Sequence, residues 1–415
     1  MPSLEDYTTQ ARLEMEQGDY GGAIRSLTEA LAIERDNSTL YLMRGLAYFM
    51  RHDYDLAIED MTAVLTVDHR NRDAVLTRAH AHFYQQAWDD ALHDYNEYIA
   101  LAGDQADLPY ARRALVLAQL NQREEALDDY TRAIEQGTDV SQHYYHRAAL
   151  HYTLGAFAET IADATQAIEQ GFPAPEAYEI RGSAHAQLAQ WEKALADYDE
   201  ALALDRRSAS AYYNRGAVRY QLGALTDAIS DFSMALKMNP QDTATRYARA
   251  SAYLAQGDAL QARRDLSYLI KQGADSPPIY HKRAEAYYQL GQYDKAYADQ
   301  TRAIELAPTH SAYLMRLGEL DIERQAYPSA IGLLKRALLN RTDKDTRTHQ
   351  RNLGGLALAY YLNADDDQAS NYYNQLVAHD LDYGDAAVWQ MRFGWSELLI
   401  DAVNALIESI ENADS

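Results

Sequence analysis

The side chains of this chain best equipped for chemistry are its 13 histidines and 62 acidic residues. A zinc site takes three or four converging ligands, imidazoles among them, so His143, His146 and His151, and His80 with His82, come first. Their register argues against a metal. His82, His151 and His185 stand where other stretches carry Tyr48, Tyr253 and Tyr287, which makes them packing variants of one half-buried position. The chain has no cysteine, so a thiolate metal site, a thiol nucleophile and a disulfide framework are ruled out. Neither a glycine-rich phosphate loop nor a nucleophile elbow is present. Carboxylate neighbours such as Asp89-Asp90 and Asp128-Asp129 read as solvated helix faces. We therefore expect no catalytic residues, no metal and no cofactor, and turn to what the chain could hold instead.

Its most regular signal is an arginine followed by a small residue: Arg44-Gly, Arg78-Ala, Arg113-Ala, Arg147-Ala, Arg181-Gly, Arg215-Gly, Arg249-Ala and Arg283-Ala. The spacing is thirty-four residues, with one step of thirty-five between Arg78 and Arg113. A second series lies sixteen residues further on: Asp60, Asp94, Asp129, Asp163, Asp197, Asp231, Asp265 and Asp299. Between these marks the apolar residues recur at helical spacing. In the stretch 209–242, Tyr212, Gly216 or Ala217 and Tyr220 share one helix face, Gly223 interrupts, and Ala228, Phe232, Ala235 and Leu236 share another before Asn239-Pro240. The repeat is thus two helices and two stops. Gly216 and Ala228 let the helix axes approach, and Phe232 fills the space that remains. One such pair cannot bury its own apolar surface, which only the next pair can cover. The arginine and aspartate series should be structural, each Asp pairing with an Arg of its own or the following repeat and fixing the stacking register.

Composition agrees with an ordered helical chain. Hydrophobic residues make up 47% and charged residues 24%, and prolines are few, nine in 415 residues. The formal net charge is −24, a field that repels nucleic-acid phosphates and anionic membranes. The amino terminus has no basic region followed by an apolar run, and no stretch reaches bilayer-spanning length. The expectation is a cytoplasmic protein with neither nucleic-acid nor membrane partners.

The repeat resembles that of the tetratricopeptide family. The resemblance rests on Tyr41, Arg44-Gly45, Tyr48, Ala57, Met61 and Val64 in one copy, and on Tyr280, Arg283-Ala284, Tyr287, Ala296, Ala303 and Pro308 in another. It implies an all-α fold, a right-handed superhelical α-solenoid of tandem helix-turn-helix repeats. Ten repeats are expected at 4–37, 38–71, 72–106, 107–140, 141–174, 175–208, 209–242, 243–276, 277–310 and 311–344. A short polar insert at 345–349, within the wholly polar stretch Arg341–Gln350, precedes a degenerate eleventh repeat at 350–383. Closing helices should fill 384–415. The first helix, Leu4 to Gln17, is largely polar, as suits a face with no preceding neighbour. Near the other end Leu317 and Leu333 replace the arginine and the aspartate, and Leu399, Val403, Leu406 and Ile410 form one apolar stripe. That stripe belongs to a capping helix, or else to a docking helix for a partner or a second copy.

In this family, similarity implies that the first helices line a concave groove. At the fifth and twelfth positions of the repeats the sequence places Phe49, Phe83, Tyr145, Tyr152, Tyr213, Tyr220, Tyr247 and Tyr288, an aromatic stripe almost free of charge. Such a stripe either packs against neighbouring first helices or anchors a partner, and can do both. The lysine and asparagine clamp that co-chaperones of the family use for acidic tails has no counterpart at the ninth positions. Of the asparagine ladder that holds extended peptides, only Asn214 is present. The expected function is a non-catalytic scaffold that binds a protein or peptide segment in this groove, a basic segment being favoured by the acidic exterior. The alternative is a structural or self-associating subunit that uses its ends or convex face.

Overall fold

The computed structural model describes residues 2–103, 109–137, 139–172, 174–340 and 346–414, and these form two compact units, Met1–Arg206 and Arg207–Ser415. The N-terminal unit is six helix pairs. They are α1 (Leu4–Glu16) with α2 (Tyr20–Ile33), α3 (Ser38–Met50) with α4 (Tyr54–Val67), and α5 (Arg72–Tyr84) with α6 (Trp88–Ala102). After them come α7 (Tyr110–Gln119) with α8 (Arg123–Gln136), α9 (Val140–Thr153) with α10 (Phe157–Glu169), and α11 (Pro175–Gln187) with α12 (Trp191–Leu204). The C-terminal unit continues the pattern with α13 (Ala209–Gln221) and α14 (Leu225–Met238), α15 (Thr243–Gln256) and α16 (Ala259–Lys271), and α17 (Pro277–Gln289) and α18 (Tyr293–Leu306). Its last pairs are α19 (Ser311–Glu323) with α20 (Tyr327–Leu339) and α21 (Thr346–Leu362) with α22 (Asp366–His379). A 3₁₀ turn (Leu381–Gly384), α23 (Ala386–Phe393) and α24 (Glu397–Asp414) close the chain. Among the described residues there is no β-strand, so the all-α expectation holds. Of the polar stretch before the eleventh repeat, 341–345 lie outside the described residues and 346–349 already belong to α21.

Each helix pair is shaped by where its chain must stop. Ser3 and Asp6 form a capping box on α1, and Asn37, Asn71, Ser208 and Asp242 accept from backbone N–H groups at the starts of α3, α5, α13 and α15. Within each pair, a residue at or just after the first helix's C-cap takes a left-handed conformation, and the following N–H bonds back five residues, as in Ala224 to Arg219 at 2.9 Å. At Gly155 and Gly223 this costs nothing. At His52, Gln86, Asn121 and Ala189 the same φ, between +54° and +68°, is forced on residues with a Cβ. Between the two helices, fully buried Ala57, Ala91, Ala126, Ala194 and Ala228 keep the axes close. Gly45 and Gly216 answer them from the first helix: a Cβ there would lie 2.5 Å from Met61 Cε or 3.0 Å from the Phe232 ring.

The arginine and aspartate series form eight pairs, each within its own repeat. Both carboxylate oxygens, or in Asp197 chiefly one, accept from Nε and Nη2 at 2.6–3.1 Å. The aspartates are buried: Asp94 and Asp129 keep 2% of their surface. Asp129 therefore turns inward while its neighbour Asp128 is exposed, so the Asp128-Asp129 pair is not a solvated face as a whole. The remaining arginine nitrogen reaches the second helix of the preceding pair. Nη1 of Arg44, Arg78, Arg147, Arg181, Arg249 and Arg283 donates to Thr28, Thr62, Thr131, Thr165, Ser233 and Ser267 at 2.9–3.4 Å. Arg113, after the one longer step, uses Asn96 at 2.8 Å.

At the C-terminal end this device is replaced by an apolar core. Leu317 is buried where the arginine would stand, and α19 to α24 contribute to one cluster that includes Leu314, Leu334, Leu356, Trp389, Phe393 and Trp395. The expected stripe Leu399, Val403, Leu406 and Ile410 lies inside it. The charge that remains is Glu319, 1% exposed, which accepts from Arg316 Nη1 at 2.7 Å, Arg351 Nη2 at 2.8 Å and Trp395 Nε1 at 2.9 Å. Burial alone would push its carboxyl up, but Arg351 and Arg316 bring it down to about 2.

Three outcomes are expected. Asp163→Ala should lower the unfolding free energy by about 3–5 kcal/mol, because Arg147 is left half-buried without its partner, whereas Asp89→Ala at the surface should cost less than about 1 kcal/mol; equal denaturation midpoints would contradict this. Ala189→Gly should raise stability by up to about 1 kcal/mol by relieving the left-handed turn, measured by urea unfolding. Glu319 has a lower pKa folded than unfolded, so the stability it contributes is present above about pH 4.3 and is lost as pH falls toward 2. An acid titration of the Glu319→Gln chain should lack that part of the slope.

Candidate functional site

First helices of successive pairs touch: α3 with α5 and α9 with α11 in the N-terminal unit, and α13 with α15, α15 with α17 and α19 with α21 in the C-terminal unit. In each unit they build a wall. Positions five and twelve of a repeat are seven residues apart, two helical turns, and so share a face of that wall. In the N-terminal unit Phe49 packs near Tyr54, His80 and Tyr84 at 5.7–6.2 Å, and Phe83 lies edge-on to Trp88 at 5.7 Å. Tyr145 stacks on Phe172 at 4.9 Å, and Tyr152 meets Phe157 at 5.7 Å. In the C-terminal unit Tyr213 meets Phe232 at 5.9 Å, Tyr220 packs on Ala228 and Ala252, and Tyr247 on Leu266 and Leu269.

These side chains are half-buried, and each has a flank that belongs to the core. Their polar ends do not. Among the described residues the hydroxyls of Tyr145, Tyr152, Tyr213, Tyr220 and Tyr247 have no hydrogen-bond partner, nor are they sealed from solvent. Burial, together with Glu176 and Glu179, raises the Tyr145 phenol above its ordinary range, and burial, ahead of the charges around it, raises that of Tyr247. Both stay neutral and can donate as well as accept.

Tyr288 stands apart, with 8% of its surface left. Its hydroxyl donates to Glu323 Oε1 at 3.0 Å and accepts from the Ser396 N–H at 3.2 Å, while Arg316 lies 3.9 Å over its ring. Ser396 Oγ donates to Glu323, and Trp395 to Glu319. Tyr288, Glu319 and Glu323 are wall positions of α17 and α19, so the segment before α24 occupies that part of the wall. Trp389 and Phe393 do the same at α21, where a Cβ on Gly354 would come within 2.9 Å of the indole. The wall that remains open in this unit is that of Tyr213, Tyr220 and Tyr247.

Three of the histidines are drawn to the aspartates. Nε2 of His82, His151 and His185 lies 3.7–3.9 Å from Asp94, Asp163 and Asp197, the place Arg219 takes beside Asp231 at 2.7 Å. One grouping went unnoticed in the sequence: ligand atoms of His93, Asp94 and Glu97 come within 4.8 Å of one another. Both Asp94 oxygens already accept from Arg78, so the group with the best geometry is spent on the fold. A second residue missed was Arg112, on the wall at α7. Its signal was an arginine lying one residue outside the arginine register.

No helix among the described residues is long and apolar enough to cross a membrane. Sequence models described as tetratricopeptide or TPR repeat match residues 8–74, 182–223, 209–242 and 277–310. No curated protein matches the chain by sequence. Among solved structures, the chain is similar to a tetratricopeptide repeat protein from Parabacteroides merdae ATCC 43184, with 19% identity, 59% of this chain and 97% of that one covered, and a TM-score of 0.46. It is similar to the APC/C hetero-tetramer Cut9-Hcn1, with 14% identity, 98% and 92% covered, and a TM-score of 0.46. YrrB, a TPR protein with an unusual peptide-binding site, matches at 22% identity over 44% of this chain and 93% of its own, with a TM-score of 0.39. Two of the matches, 209–242 and 277–310, each span one thirty-four-residue repeat in the register of the arginine and aspartate pairs, and with the four matches along it the chain belongs to the tetratricopeptide repeat family, whose fold serves as a scaffold for protein–protein interaction.

Proposed function

We propose that the chain holds a segment of a partner protein on the open first-helix walls, the tyrosines serving as its anchors. The observation that carries this is the division of labour within each tyrosine. One flank is fixed in the core, so little side-chain entropy is lost on binding, while the hydroxyl has no hydrogen-bond partner among the described residues. Tyr145 and Tyr152 offer such a surface in the N-terminal unit, beside the rings of Phe49 and Phe83, which carry no hydroxyl; Tyr213, Tyr220 and Tyr247 offer one in the C-terminal unit. Tyr288 is left out of the binding surface, because Ser396 and Arg316 cover it.

The charge balance favours a basic segment. A chain of net charge −24 attracts cations and raises the rate at which they arrive. Assembly of copies through α24 is disfavoured, since its apolar stripe is already buried.

The test compares two double variants, Tyr145→Ala with Tyr152→Ala and Tyr213→Ala with Tyr220→Ala, in affinity capture by the full chain. Anchors at the centre of a contact commonly contribute about 2 kcal/mol or more each. At least one double variant should therefore lose the captured partner while its helical content, followed by circular dichroism, persists. Undiminished capture by both would move the contact to the outer helices or the ends.

A further inference from the structure

At the edge of the N-terminal wall, where α3 and α5 turn into α4 and α6, five aromatic rings touch in one run. Tyr54 and Tyr84 stack 5.3 Å apart with 10° between their planes, and Phe49 lies 5.7 and 6.0 Å from the two of them. Phe83 links Tyr84 to Trp88, at 5.6 and 5.7 Å. Phe49 and Phe83 are wall positions, whereas Tyr54 and Trp88 are the first residues of α4 and α6. Tyr84 keeps 47% of its surface, and Met50, next to Phe49 in the chain, keeps 48%. A contiguous apolar and aromatic patch of this kind is costly to leave in water and marks a contact surface.

The polar groups beside these rings are mostly donors. The Trp88 indole N–H and the Tyr84 hydroxyl have no hydrogen-bond partner among the described residues, and neither has Arg112, whose guanidinium lies 5.8 and 5.9 Å from the ring centres of Phe83 and Tyr84. An indole and a guanidinium can only donate. The Tyr54 hydroxyl is already bonded to His52 Nδ1 at 2.9 Å. An extended strand laid here would leave its own N–H groups without acceptors, and the interior of an α-helix would bring no free carbonyl to the donors. Proline has a carbonyl and no N–H. Its spacing fits as well: Phe49 and Phe83 hold the same position in adjacent repeats, one helix-to-helix step of about 8–10 Å apart, and a polyproline II segment repeats a face every three residues, about 9 Å. Carboxylates stand at the rim, where Asp53 pairs with Arg51, and Asp55, exposed, accepts from Gln85 at 2.7 Å.

We infer that a proline-rich stretch of the partner segment lies across Phe49, Phe83 and Tyr84 in the polyproline II conformation, its carbonyls accepting from Trp88 and Tyr84, with a basic residue beside it at Asp53 and Asp55. The inference rests on the wall being the binding surface and names the class of segment that this end of it takes. Proline rings lie flat on aromatic faces, and a segment already held in polyproline II loses little entropy when it docks. The acidic rim attracts the basic residue and sets which way the segment runs.

Two fluorescein-labelled, amidated decapeptides provide the probes, read by polarisation against the full chain: eight prolines between two lysines, and alternating alanine and glutamine between the same lysines. The proline peptide should bind at least about tenfold tighter than its equally charged control. Trp88→Phe keeps a ring and removes the N–H, and should weaken the proline peptide about fivefold, the scale of one hydrogen bond. Tyr84→Ala should weaken it at least about tenfold, as loss of a central aromatic anchor does. Tyr84 is exposed, so the unfolding midpoint, followed by circular dichroism, should stay put; if the alanine variant does not fold, Tyr84→Phe replaces it, with a loss of about fivefold. A chain that binds both peptides equally, or a proline preference that survives Trp88→Phe and the Tyr84 variant, overturns the inference. The wall itself is tested separately. If capture of the partner survives both Tyr145→Ala with Tyr152→Ala and Tyr213→Ala with Tyr220→Ala, the underlying reading fails, whereas capture that depends on those tyrosines, in a chain without a proline preference, refutes only the proline-rich segment.

Discussion

A guanidinium shared between two helix pairs is the constraint on which the repeats depend. Two of its nitrogens clasp the aspartate of its own pair, and the third reaches a hydroxyl or amide on the pair before. A buried ion pair is a poor source of net stability, because desolvation offsets most of the attraction. What it supplies is position. Stacked helices with apolar, alanine-rich faces could slide or rotate against each other at small cost, whereas a planar fork with three fixed acceptors admits one arrangement. The longer step after Arg78 shows how strict the requirement is: with one residue added, Arg113 finds Asn96 as its acceptor, and the clasp is kept. Where the series stops, at Leu317, the chain needs another means of fixing its helices and uses a large apolar cluster around the buried Glu319 charge.

The same geometry explains what could be read from the sequence. The helix pairs, the Arg–Asp partnership and the fifth-and-twelfth stripe are periodic, and each copy restates the evidence for the others. The stopping residues were only partly legible. Gly223 announces a left-handed turn, but His52, Gln86 and Ala189 adopt it with no such mark, since the pairs around them leave no other route. The fate of Tyr288 could not be read at all. Its covering residue, Ser396, is 108 positions away and belongs to no repeat. Asp128 and Asp129 look alike as neighbours and differ by the hundred-degree turn that separates adjacent helical residues, which sends one to water and the other to Arg113. Arg112 was invisible for a related reason: an arginine beside a register arginine is noticed only when its partner is sought and not found.

The two kinds of surface in this protein follow from one choice of side chain. Tyrosine outnumbers phenylalanine 33 to 6, and a buried tyrosine flank does the packing that phenylalanine would do. The difference is at the tip, where a hydroxyl keeps the wall wettable without adding charge. A wall of phenylalanine would be an aggregation hazard at this size, and a wall of lysine or glutamate would not pack. Half-buried phenols satisfy both demands, and for the same reason the wall has directional contacts to offer a partner.

The backward reach of each arginine makes repeat number a heritable variable. Excision of residues 141–174 would bring Arg181 opposite Thr131 in place of Thr165, a threonine for a threonine, and the clasp would close as before. Excision of one residue fewer would set every later arginine a third of a helical turn out of line. An array built this way tolerates a change of length in whole repeats from its interior. The outermost helices have no such freedom, because the capping box at Ser3 and the cover that Ser396 lays on Tyr288 each occur once among the described residues.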